Sequence, residues 1–150
     1  MSGTPEPSRP AAPALTDFPA VIGITTRWKD NDVYGHVNNV EYYSYFDTAI
    51  NTWLIREGGL DVASGPVIGV CAESGCRFLA EVRFPAGIRC GVRVARLGRT
   101  SAVYALGLFD DEDRALADGS FVHVFVDRQT RRPVPIPDGL RAALERLVTA

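Results

Sequence analysis

Residues 27–47 read RWKDNDVYGHVNNVEYYSYFD, and they concentrate the groups able to do chemistry. Two carboxylates, Asp30 and Asp32, precede Gly35, His36, Asn38 and Asn39, and an apolar pattern of helical period begins directly afterwards. A helix start presents backbone N–H groups without intrahelical partners and a partial positive charge. Such groups suit an oxyanion or a polarised carbonyl oxygen. A carboxylate a few residues upstream can reach the same carbonyl carbon, attacking it or deprotonating a water. Gly35 lets the chain turn tightly and bring backbone close to a ligand. The layout describes acyl transfer or hydrolysis, with Asp30 or Asp32 as the candidate carboxylate and the helix-start amides as candidate donors.

Simpler readings compete. Asp30, Asn31 and Asp32 also suit a solvated turn with side-chain-to-backbone bonds. Residues 30–41 partly match a calcium-binding loop, with Asp30, Asp32, Gly35 and Glu41 at the expected places. Tyr34 stands where an oxygen ligand belongs, however, and the residues before the loop read as strand rather than helix. Taken alone, His36 reads as a hydrogen-bonded structural histidine. With only His36 and His123 in the chain, a zinc site would need acidic or cysteine ligands that show no metal-like spacing. Cys71, Cys76 and Cys90 read as reduced thiols in or near strands; Cys76 or Cys90 as nucleophile is the minor alternative, since neither adjoins a histidine in sequence.

The elements that must position these groups follow from periodicity. Residues 21–28 are rich in β-branched side chains and predict a strand. From Val40, apolar residues recur at three- and four-residue spacing (Tyr43, Phe46, Ile50, Trp53, Leu54), which predicts one amphipathic helix of about 26 Å. Asn38 or Asn39 is the expected N-cap, and Gly58-Gly59 the stop. Strands are expected at 66–72, 77–82, 91–96, 102–109 and 115–126, with turns at 98–100 and 110–114 and a bend or bulge near Gly119. A short C-terminal helix should carry Leu140, Leu144 and Leu147 on one side. One strand, one long helix and a strand meander make an α+β domain in which an antiparallel sheet of five to six strands wraps the helix. The proline-rich residues 1–17 are expected to be a disordered tail, leaving 18–150 as the single domain.

The chain has 150 residues, 46% hydrophobic and 23% charged, with a formal net charge of -2. That suits a globular protein with one core and gives no broad basic surface for nucleic acid. No apolar run is long enough to span a bilayer, and no signal peptide is read, so a cytoplasmic location is expected.

The motif Trp28-Lys29-Asp30-Asn31-Asp32-Val33-Tyr34-Gly35-His36-Val37-Asn38-Asn39, followed by Tyr42 or Tyr43 in a helix, resembles the 4-hydroxybenzoyl-CoA thioesterase family of hot-dog proteins. The similarity covers roughly residues 18–137, including the closing VFVDRQTRRPVPIP. It implies the hot-dog fold and an acyl-CoA thioesterase needing neither metal nor organic cofactor. It also implies homodimers, in some members paired into tetramers, with active sites at the dimer interface. By this resemblance Asp32 is the catalytic acid, the amide near Asn39 polarises the thioester carbonyl, and Asp30 is mainly structural. The His36-Val37-Asn38-Asn39 stretch also looks like the plant acyl-carrier-protein thioesterases, in which the counterparts of Asp32 and His36 are both catalytic. Tyr34 replaces an asparagine of that constellation. An acyl-carrier-protein substrate is therefore an alternative, as are a non-catalytic acyl-CoA-binding module and a dehydratase. Gly35, Asn38 and Tyr43 are candidate substrate-binding residues. Arg96, Arg99 and Arg128, with Arg131 and Arg132 beyond, are candidates for the phosphates of CoA.

Overall fold

The computed structural model describes residues 11–149. Five strands form one antiparallel sheet: β1 (Ala20–Thr25), β2 (Val67–Phe78), β3 (Gly87–Leu97), β4 (Ser101–Phe109) and β5 (Ala115–Asp127). Their spatial order is β1-β3-β4-β5-β2. Helix α1 (Asn39–Arg56) connects the two edge strands and lies against one face, and α2 (Asp138–Glu145) follows the last strand. This is the hot-dog arrangement: a long helix wrapped by a five-stranded sheet.

The expected strands at 66–72 and 77–82 are one continuous strand, β2, irregular at Cys71/Glu73 where its register against β5 shifts. The local sequence, AESG, lacks β-branched residues and reads as a break. Pairing with β5 along its length carries the strand through.

Helix α1 begins and ends as its caps dictate. The Asn38 side chain accepts the Val40 amide at the start. At the end Gly58 N donates to Trp53 O, Leu60 N donates to Leu54 O, and Gly59 takes a positive φ of 68° that favours glycine. Tyr42, Tyr45, Phe46, Ala49, Ile50, Trp53 and Leu54 are buried. The stripe differs from the predicted one in its first turn, where Val40 is 63% exposed and Tyr43 only half-buried.

The irregularity expected near the start of β5 falls at Leu116, where the register against β4 shifts; Gly119 itself lies within the regular ladder. It pairs in register with Cys76 and Leu106, and a Cβ there would lie 2.5 Å from the Phe46 ring and 2.7 Å from the Gly75 carbonyl oxygen. Phe46 of α1 presses close on the sheet here, which explains a small residue at this point of the strand. Gly119→Ala should lower unfolding stability by about 2–3 kcal/mol through this overpacking. Urea denaturation measures it, and an unchanged midpoint would rule out the close approach.

Leu140, Leu144 and Leu147 are all buried, as the C-terminal pattern predicts. Of the predicted tail, residues 1–10 lie outside the described residues. Residues 11–17 are ordered against the sheet: the Arg77 guanidinium donates to Ala11 O, and Leu15–Asp17 form a 3-10 turn. Phe18 then covers Gly91 and Gly107 on the sheet face away from α1.

His123 sits in the core among Tyr104, Phe121 and Phe125, its Nδ1 3.2 Å from the Tyr104 hydroxyl. Burial pushes its imidazole down from 6.5 to about 4. The unfolded chain therefore binds this proton more readily than the folded one. The contribution to stability is complete above about 6.5 and is lost as pH falls towards 4, amounting to roughly 3 kcal/mol. Melting temperature should fall over that window, and His123→Gln should flatten the fall; an equally steep profile in the variant would remove His123 as the cause.

Candidate active site

The segment before α1 folds into a small hairpin. Asn31 and Val37 form an antiparallel bridge, Asp32 N donates to His36 O at 3.0 Å, and Gly35 N donates to Asp32 O at 3.1 Å. Gly35 takes φ 84° at the tip, which favours glycine. Successive residues of an extended chain point to opposite faces, and residues directly opposite each other share a face. Val37 is buried and the Asn31 Oδ1 accepts the Phe84 amide, so this pair faces inward. Asp32 and His36, one step nearer the tip, face the other way, into a cleft of about 450 Å³. Asn39, Tyr42, Phe78, Leu79 and Glu81 also line it.

The Asp32 carboxylate accepts the Tyr34 amide on Oδ1 at 2.9 Å, the side-chain-to-backbone turn that its sequence suggested. His36 Nε2 lies 2.9 Å from the Glu81 carboxylate. The start of α1 completes the site. The Asn38 amide donates to Asp30 O, the Val40 amide to Asn38 Oδ1 and the Glu41 amide to Asn38 O. The Asn39 amide has no acceptor among the described residues. Of the four amides at this helix start, the one left over belongs to a residue that lines the cleft with Asp32.

Asp30 faces the opposite direction. It is fully buried and accepts the Tyr45 hydroxyl at 2.7 Å, the Arg27 amide at 2.9 Å and the Arg27 Nε at 3.2 Å. Burial alone would raise its carboxyl, but the Tyr45 and Arg27 bonds outweigh burial and hold it below the ordinary carboxylate value. Its oxygens are occupied by donors, so it is not available as a calcium ligand. The segment before it is strand β1 and a 3-10 turn, Trp28–Asp30, rather than a helix. No cluster of three or more metal-capable side chains occurs among the described residues.

Cys76 and Cys90 sit where burial disfavours the nucleophilic form. Burial, with the nearby Asp118 charge, pushes the Cys76 thiol up to about 12, and burial pushes Cys90 up as well. Thiolate is the reactive form, and neither site favours it.

The fold brings Asp32, His36 and Asn39 together but disperses the other sequence candidates. Gly35 shapes the hairpin tip, and Asn38 is spent on capping. Tyr42, not Tyr43, lines the cleft, its ring 5.0 Å from Phe78, because the buried stripe departs from the predicted one in the first turn of α1. Arg128 donates to Gly65 O and Val62 O, both at 2.6 Å, and so anchors the loop before β2. Arg96 and Arg99 stand at the end of β3 remote from the hairpin, about 30 Å along the strand. The nearer cations are Arg83 and Arg114, in an adjoining groove of about 410 Å³ that shares His36 and Glu81 with the cleft. Sequence reasoning passed over Arg83, Arg114 and Glu81, since nothing local separates them from solvated surface charges.

Comparison with known proteins bears on the family and the fold. The thioesterase-like superfamily model matches residues 26–144. No curated protein sequence matches the chain. Among solved structures, the PA5185 protein of Pseudomonas aeruginosa is 51% identical over 93% of this chain and 99% of its own, with a TM-score of 0.91. PA2801 from Pseudomonas aeruginosa, a proposed thioesterase, is 32% identical over 83% of this chain and 96% of its own, with a TM-score of 0.77. Slr0204 of Synechocystis, a 1,4-dihydroxy-2-naphthoyl-CoA thioesterase, shares the fold at 16% identity over 83% of this chain and 93% of its own, with a TM-score of 0.74. With a family model spanning most of the chain and a helix-wrapping sheet that matches its relatives, the protein belongs to the thioesterase-like superfamily and is a hot-dog thioester hydrolase.

Proposed function

We propose that the protein hydrolyses acyl-CoA thioesters to the free acid and CoA, with Asp32 as the catalytic carboxylate. The observation that carries this reading is the unpartnered helix-start amide of Asn39, a residue that lines the cleft together with Asp32. The thioester carbonyl oxygen accepts from that amide, where the partial positive charge of the helix start favours the developing oxyanion. Asp32, on the same side of the hairpin as His36, acts on the acyl carbon directly or by deprotonating a water. The carbon–sulfur bond breaks, the water oxygen ends in the acid, and the thiolate of CoA leaves and takes up a proton. Phe78, Leu79 and Tyr42 would offer an apolar wall to the acyl group, and Arg83, with Arg114 held by Asp110 beside it, would meet the phosphates from the adjoining groove.

A homodimer completes the proposal, with a dimer of dimers as its extension. Edge strand β2 is 12 residues long with one side unpaired in the chain. Around the hairpin, Trp28, Val33 and Tyr34 are 78%, 94% and 82% exposed, an apolar surface of the kind that a second subunit covers. A second copy is also the route by which Arg96 or Arg99 could approach a cleft. No helix among the described residues is long and apolar enough to cross a membrane; a cytoplasmic location remains part of the proposal.

The test is release of free thiol from a panel of short, long and aromatic acyl-CoAs, followed with a chromogenic thiol reagent. Release that requires Asp32 supports the reading. Release only from acyl-carrier-protein thioesters would move the substrate to that carrier. Saturable acyl-CoA binding without release from either carrier would favour a binding module.

A further inference from the structure

The geometry points to Glu81 as a positioning residue that fixes the tautomer of His36, so that Nδ1 is the ring nitrogen presented to the reacting groups. This rests on the thioesterase reading of the cleft. Glu81 lies just beyond β2, next to Val82, whose carbonyl accepts the Val37 amide at 2.8 Å. That bond joins the 80–83 segment to the hairpin and sets Glu81 beside His36. The Glu81 carboxylate is 2.9 Å from His36 Nε2. An ionised carboxylate only accepts, so Nε2 must carry the hydrogen. In the neutral ring Nδ1 is then left as the acceptor, able to take a proton from a water or return one to the leaving thiolate. Both residues line the same cleft as Asp32. No other partner of the His36 ring occurs among the described residues, so the carboxylate is the protein group that holds the ring in this tautomer.

The Glu81 side chain is 74% exposed and that of His36 30%, so the pair adds little stability and its effect is one of orientation. Glu81→Ala should leave unfolding stability unchanged and lower kcat about fivefold to tenfold, with KM within about twofold, as expected when a general acid–base group loses its orienting partner. Glu81→Gln should restore most of the rate, because its amide oxygen can still accept from Nε2. In a His36→Ala background, Glu81→Ala should have no further effect.

The deciding measurement needs no substrate: nitrogen-15 NMR of the histidine side chains in mildly alkaline buffer. The inference expects the Nε2–H form to dominate at His36 in the wild type and in Glu81→Gln, and to give way to a mixture in Glu81→Ala. An Nδ1–H ring in the wild type, or a tautomer indifferent to Glu81→Ala, would overturn it. So would an undiminished kcat in Glu81→Ala, or an equal loss when His36 is absent. If no acyl thioester is hydrolysed while the tautomer follows Glu81, the proposed substrate fails and the positioning role stands.

Discussion

Asp32→Asn is expected to lower kcat for thioester hydrolysis by about two to three orders of magnitude, with KM changed by less than about fivefold. Asparagine keeps the shape and can still accept the Tyr34 amide through its oxygen, so the hairpin that Asp32 caps should survive. What it loses is the charge that, in the proposed mechanism, attacks the acyl carbon or takes a proton from water. The helix-start amide of Asn39 is untouched, so a residual rate above background should persist, because oxyanion stabilisation acts independently of the base. The check is steady-state thiol release beside circular dichroism and a melting curve for the same preparation. A variant that folds normally and keeps more than about a third of the wild-type kcat would remove Asp32 from the mechanism.

Asp30→Ala, two residues away, should have the opposite character. Asp30 receives the Tyr45 hydroxyl and two donors of Arg27 in a site closed to solvent. Removing it strands the buried Tyr45 hydroxyl and the inner end of Arg27, a class of change that costs about 3–4 kcal/mol. The sign with pH follows from its depressed carboxyl. The stabilisation is fully present above the ordinary value of 3.8 and is lost as pH falls through the lower value of the folded state. The stability gap between Asp30→Ala and wild type should therefore be wide at neutral pH and should narrow in strong acid. Urea unfolding at several pH values measures both. A gap below about 1 kcal/mol at neutral pH would show that water replaces the carboxylate freely. Activity per folded molecule should fall less in this variant than in Asp32→Asn, since Asp30 touches the site only by supporting it: its backbone carbonyl holds the Asn38 amide.

The contrast between these two acids shows what local sequence can carry. The D-x-D spacing marks both residues alike. An extended chain alternates its faces, but residues 30 and 32 are separated by the end of a 3-10 turn at Asp30, so simple alternation does not place them. Their separation into a buried structural acid and a cleft-facing one depends on Tyr45, a full helical turn and more into α1, folding back over Asp30. No window of a few residues contains that contact.

Legible in the sequence by itself were the elements with strong local periodicity and firm punctuation: α1 between the Asn38 cap and Gly58-Gly59, the hairpin turns at 98–100 and 110–114, and the leucine face of α2. The Asp32–His36–Asn39 grouping was legible for the same reason, since three-residue hairpin tips and helix starts are local structures. Tertiary structure decided everything that needed a distant partner. Pairing with β5 made one strand of β2, contact with Phe46 explained Gly119, and the meeting of α1 with the sheet chose Tyr42 over Tyr43. It tied Arg128 to the 62–65 loop, left Arg96 and Arg99 at the remote end of β3, and brought Glu81 and Arg83 to the 31–37 hairpin from across the chain. The physical reason is range: caps, turns and periodicity are fixed by bonds across a few residues, whereas the use of a charged side chain depends on which strand end the sheet carries it to.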